Sequence, residues 1–158
     1  VTNLLTLLPA LADCLEAQME AAGLPPVCFL GVIPGQALIA DYSGDCEDVC
    51  GMAWVRVATY YPSQTIGAQD ITLGNCAAGL GADIEVGILR CMPMDEDPIT
   101  EEEALEVYRL QFKDAEAARK AIVCCDQLHR RDYILGAYAP MGPLGGMVGG
   151  VWRASVGL

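Results

Sequence analysis

The ten residues from Met52 to Tyr61, Met-Ala-Trp-Val-Arg-Val-Ala-Thr-Tyr-Tyr, limit what this chain can fold into more than any other stretch. They are largely β-branched or aromatic, and no breaker interrupts them before Pro62, so they predict a central strand of a sheet. Asp83 to Cys91 repeats the period-two alternation and supplies a second strand before Pro93. A third closes the chain, where Trp152, Ala154 and Val156 alternate with Val151, Arg153 and Ser155, the pattern of a half-buried strand. A shorter apolar run, Val27 to Ile33, ends at Pro34-Gly35 and reads as a strand and turn, with Leu38 to Tyr42 as its hairpin partner.

Two helices flank these strands. Residues 3 to 22 place Leu4, Leu8, Leu11, Leu15 and Met19 on one face, with Thr2 or Asn3 as N-cap, Pro9 inside and Gly23 then Pro25 as the stop. Seven acidic residues and no basic ones lie from Asp95 to Glu106, and among them Thr100 and Glu103 form a capping box for a long second helix. Its expected inner face is Ala104, Tyr108, Phe112, Ala115, Ile122 and Cys125, and Lys120, His129, Arg130 and Arg131 gather at its end, where they suit the helix dipole. The order helix, strands, helix, strand predicts an α+β fold, a mixed or antiparallel sheet packed against two helices.

At 158 residues the chain is most simply one domain, large enough to bury a core. Residues 62–81, rich in Gly and Ala, are expected to be a flexible loop with an interface or functional role. Residues 140–150 read as a Gly/Pro hinge, too poor in side chains to pack a core, that delivers Val148 to Val156 to the sheet of its own subunit. The formal net charge of −12 argues against a nucleic-acid clamp, which needs clustered Lys and Arg. The apolar run from Leu4 to Ala12 is short, holds Pro9 and follows no basic residue. Neither a signal peptide nor a membrane span fits it, and synthesis in a cytosol is expected. In that compartment the eight cysteines are expected to be mostly small buried hydrophobes and not a disulfide framework.

Chemistry-bearing patterns are sparse. Cys46 and Cys50 are the sharpest metal candidates, but four-residue spacing is wider than a usual zinc knuckle and the single histidine, His129, is far along the chain. No local pattern organises a nucleophile and base, and the Gly-rich segments lack the context of a phosphate loop. Catalysis and a bound cofactor are therefore not expected. Trp54 and Trp152 are anchors of a core or an interface. Arg56, Arg90 and Arg153 fall inside predicted strands, where a guanidinium needs a wet face or a carboxylate. Asp45, Glu47, Asp48 or the stretch Asp95 to Asp97 of another copy would supply it, which predicts self-association through complementary patches.

Three segments, Cys50-Gly-Met-Ala-Trp-Val-Arg-Val, Gly87-Ile-Leu-Arg-Cys-Met-Pro93 and Gly142-Pro-Leu-Gly-Gly-Met-Val-Gly-Gly-Val-Trp-Arg-Ala-Ser-Val156, together with the order of elements, resemble the tail terminators, small neck proteins of long-tailed phages infecting actinobacteria. The resemblance spans nearly the whole chain and carries no active-site residue. It implies a structural virion protein, assembled in the host cytoplasm, whose homo-hexameric ring ends the tail tube and joins it to the head-tail stopper or connector. DNA would pass through its lumen without sequence-specific binding, and a Lys-poor wall lets it slide. A ring also needs two different complementary surfaces on each subunit. The alternatives are another connector or stopper ring, or a small zinc- or thiol-dependent enzyme using Cys46, Cys50 and Cys124 or Cys125.

Overall fold

The computed structural model describes residues 4–35, 51–69, 79–92, 98–144 and 146–158. Along the chain run α1 (Leu4–Ala21), β1 (Phe29–Val32), β2 (Gly51–Pro62), β3 (Leu80–Cys91), α2 (Glu101–Val123), α3 (Asp126–His129), β4 (Tyr133–Leu144) and β5 (Met147–Gly157). The strands form one five-stranded sheet in the order β1-β2-β3-β5-β4. β1 lies parallel to β2 and every other pairing is antiparallel. The fold is α+β, as expected, with a mixed sheet against a helix layer.

Period-two alternation sorts the strand residues onto two faces. Ala53, Val55, Ile84, Val86, Ile88, Ala154 and Val156 turn toward the helices and pack with Leu7, Leu11 and Leu15 of α1 and Ala118, Ala121 and Ile122 of α2. Each large side chain removed from water here stabilises by roughly 1.5–3 kcal/mol. The opposite face carries a second cluster, Ile33, Met52, Trp54, Leu89, Met147 and Val151. Trp54 is fully buried there, and its cross-strand neighbour is Gly87. A Cβ at Gly87 would overlap the indole, so the missing side chain makes room for the largest one.

The first helix follows its apolar stripe, with Pro9 inside it and not at its end. Gly23, at φ 63°, takes the left-handed conformation after the last turn, and Leu24 N–H reaches the Met19 carbonyl at 3.0 Å, a Schellman-type stop. The second helix begins at the expected capping box: Thr100 accepts from the Glu103 amide while the Glu103 carboxylate accepts from the Thr100 amide at 2.8 Å.

Three expectations change. The run Met52 to Tyr61 forms β2, an interior strand between β1 and β3, but β3 is the middle of the sheet. Residues 140–144 and 147–150 are not a hinge: they are the paired ends of β4 and β5, which run antiparallel in the sheet. Within residues 62–81, Ser63 organises a turn, its hydroxyl bonded to the carbonyls of Thr65 and Ala68 and its amide to Gly79. The expected Leu38 to Tyr42 hairpin strand lies outside the described residues. The closing strand does complete its own subunit's sheet, seated between β3 and β4.

Candidate subunit interface

Sheet register assembles a charged row on the face away from the helices. Arg56, Glu85 and Arg153 stand opposite one another on β2, β3 and β5. Glu85 accepts from Arg56 at 2.6 Å on one oxygen and from Arg153 at 2.8 Å on the other. Only 1% of its side chain is exposed, so the carboxylate depends on both guanidiniums for the solvation it has lost. One row further along, Asp83 accepts from Tyr61 at 3.0 Å and from Ser155 at 2.6 Å. Burial, the leading cause, raises the Tyr61 hydroxyl above its ordinary pKa, against a Ser155 hydrogen bond that lowers it. Arg56, Thr59, Asp83, Glu85 and Arg153 line a cavity of about 280 Å³. Arg153 keeps 64% of its side chain in solvent.

The third strand arginine faces the other way. Arg90 makes a two-pronged pair with Asp114 of α2, at 2.7 and 2.9 Å, and both are buried. Trp152 also points to the helices and donates its indole N–H to the Ala115 carbonyl at 2.7 Å, with Tyr138 packed beside it at a ring-centroid distance of 5.6 Å. Gln111 donates to the Gly149 carbonyl. Burial pushes the Tyr138 hydroxyl up to about 12; Gln111 pulls it down and the Asp114 charge raises it. These contacts clamp the second half of α2 onto β3, β4 and β5.

All three strand arginines thus find carboxylates within their own chain, and not in another copy as their placement led one to expect. Glu85 and Asp114 were overlooked as partners because they lie 29 and 24 positions away from Arg56 and Arg90, where only sheet register and helix packing bring them close. Trp54 and Trp152 likewise serve this subunit's own packing. Asp45, Glu47, Asp48, Cys46 and Cys50 lie outside the described residues.

Among the described residues, a grouped set of exposed apolar side chains lies on α2. None of residues 101–110 is buried, although the helix continues with Gln111, Asp114, Ala115, Ala117, Ala118, Ala121 and Ile122 packed into the protein. Leu105, Tyr108 and Phe112 are 50%, 52% and 63% exposed, and the two aromatic rings stack at 6.0 Å. Sequence periodicity places Tyr108 and Phe112 in the core, and the structure leaves both exposed. They lie roughly a quarter to a third of a turn from the buried stripe. The signal that separates the halves is side-chain size: four alanines, Ala115, Ala117, Ala118 and Ala121, allow the helix to approach the sheet closely.

Cysteine chemistry also departs from expectation. Cys14 of α1 and Cys125, just before α3, are joined by a disulfide across 5.9 Å between Cα atoms, within the range for such bonds. Cys28 and Cys91 are each engaged in a disulfide too, and Cys124 is a free, exposed thiol. The expectation of mostly unbonded buried cysteines fails because residues 111 positions apart are brought together only by helix packing. His129 contacts the Val123 carbonyl. Among the described residues, no group of three or more His, Cys, Asp or Glu is placed to hold a metal, and no helix is long and apolar enough to cross a membrane. Comparison of the chain with known protein families and with curated proteins returned no match.

Proposed function

We propose that this chain is a structural subunit of a phage neck, a tail terminator whose homo-hexameric ring ends the tail tube and joins it to the head connector, without catalysis. Its partners are other copies of itself, the tail tube protein and the stopper or connector, and DNA passes through the lumen. The observation that carries this reading is the overhanging half of α2, which presents Leu105, Tyr108 and Phe112 to solvent. A grouped set of large exposed apolar side chains marks an interaction surface. The three segments that resemble tail terminators fall on β2, β3 and β5, which are adjacent in the sheet. A helix of 23 residues favours a terminator over a stopper ring, whose architecture is mostly β.

Imaging the particle that carries this chain tests the reading. The expected result is a ring of density for it where the head meets the tail. Density in the capsid shell or along the tail shaft, or a particle that lacks the chain, overturns it.

A further inference from the structure

The nine Lys and Arg residues of the chain are unevenly satisfied. Arg56, Arg90, Arg109, Arg119, Lys120 and Arg153 each pair with a carboxylate. Lys113, Arg130 and Arg131 have no such pair among the described residues. Of these, Arg130 and Arg131 are adjacent in sequence and line one cavity of about 490 Å³, with Ser63, Thr65 and Asp132 also on its wall. Arg131 is anchored through Nε to the Gln127 carbonyl at 3.0 Å, while one terminal nitrogen is buried with no hydrogen-bond partner. A guanidinium with an unpartnered nitrogen is poorly satisfied, and a carboxylate placed in the cavity its residue lines would pair with its charge. In a chain of net charge −12, two adjacent arginines with no carboxylate partner among the described residues are a site for an anion.

The matching anions lie at the other pole of the molecule. Leu80, which begins β3, is on the wall of the arginine cavity, whereas the far end of β3, Cys91, leads toward the start of α2. That helix carries Glu101, Glu102, Glu103 and Glu106 in its exposed half, with Arg109 the one cation beside them. With 23 residues it spans about 34 Å, so the two charged ends are well separated. The acidic overhang cannot reach its own arginines, but it can reach those of a neighbour.

We propose that the N-terminal half of α2 in one copy seats against the Arg130–Arg131 cavity of the next. Glu101 and Glu102 supply the carboxylates, and Leu105, Tyr108 and Phe112 cover the surrounding surface. The contact joins two different surfaces, so it propagates head to tail, as closing a ring requires. This inference rests on the ring reading and names the contact that builds the ring.

Charge reversal tests it by sedimentation of three samples: the full chain, a Glu101→Lys/Glu102→Lys variant and an Arg130→Glu/Arg131→Glu variant. Thermal unfolding is followed in parallel to show that each is folded. The expected result is a wild-type mass several times that of the chain and a several-fold drop to the single-chain mass in each variant. Heavy species should return when the two variants are mixed, because each then meets an opposite charge on both of its surfaces. Folded variants that assemble like the wild type overturn this contact and leave the ring reading standing. Loss of assembly without rescue on mixing also overturns it. A wild type that stays at single-chain mass at every concentration overturns the ring reading itself.

Discussion

The two halves of α2 obey different rules. From Gln111 onward the helix is held by small residues against the sheet, by the Arg90–Asp114 pair and by the Ala115 carbonyl receiving the Trp152 indole. Before Gln111 no residue is fully buried: Ala104, Val107 and Leu110 are half-buried, while Leu105 and Tyr108 are exposed beside four carboxylates, and exposed Phe112 stands at the junction of the two halves. A helix that served only its own subunit would put its bulk inward and its small residues outward. The close-packed half holds this chain's own fold, and on the proposed reading the exposed half serves another molecule. The capping box at Thr100 and Glu103 satisfies amides of a first turn whose residues Glu101, Glu102 and Glu103 are all exposed, so the helix start does not depend on burial.

The sharpest way to break this contrast is at Asp114. Replacing it with Ala leaves Arg90 buried without its carboxylate, and a urea titration should show a loss of about 3–5 kcal/mol. A loss below ~1 kcal/mol would mean that the inner half of α2 is not clamped as described. Next in size is overpacking. Ala118 is 2% exposed within the core, and Ala118→Leu should cost about 1–3 kcal/mol in the same assay.

The smallest effect is a pH dependence at Tyr138. Its folded-state pKa of about 12 lies above the ordinary value of 10.0, so the folded protein keeps a proton that the unfolded chain releases in that interval. The contribution is fully present below pH 10 and is lost as pH rises through about 12. Between those values the wild type should lose stability relative to Tyr138→Phe. Parallel curves across that range would show that the hydroxyl is not desolvated against α2.

Much of the framework was legible in the sequence because it rests on local signals. The alternation in β2, β3 and β5, the stripe of α1 and the capping box of α2 each sit within one window of residues. β4 was missed because Gly136, Pro140, Gly142 and Pro143 interrupt it. Such residues are tolerated there because, among the described residues, β4 is an edge strand paired only with β5. The site was harder to read. Arginines in strands were correctly singled out as needing carboxylates, but Glu85 and Asp114 become their partners only once register and packing are set. The break between α2 and α3 falls at Cys124 and Cys125, where no Gly or Pro announces it. Tyr108 and Phe112 carry a helical period that fits a core, and the Ala-rich turns that follow reveal that the buried stripe lies elsewhere.

The central claim, that the overhanging half of α2 serves association and not folding, is tested most directly by Leu105→Ser/Tyr108→Ser/Phe112→Ser. Sedimentation mass and urea stability should be measured on the same samples as the wild type. The account predicts a wild-type species several times heavier than the 16.8 kDa chain. It also predicts a variant that runs at single-chain mass, with its unfolding free energy changed by no more than about 0.5 kcal/mol per substitution. A variant that remains assembled, or one that loses several kcal/mol of stability, would contradict it.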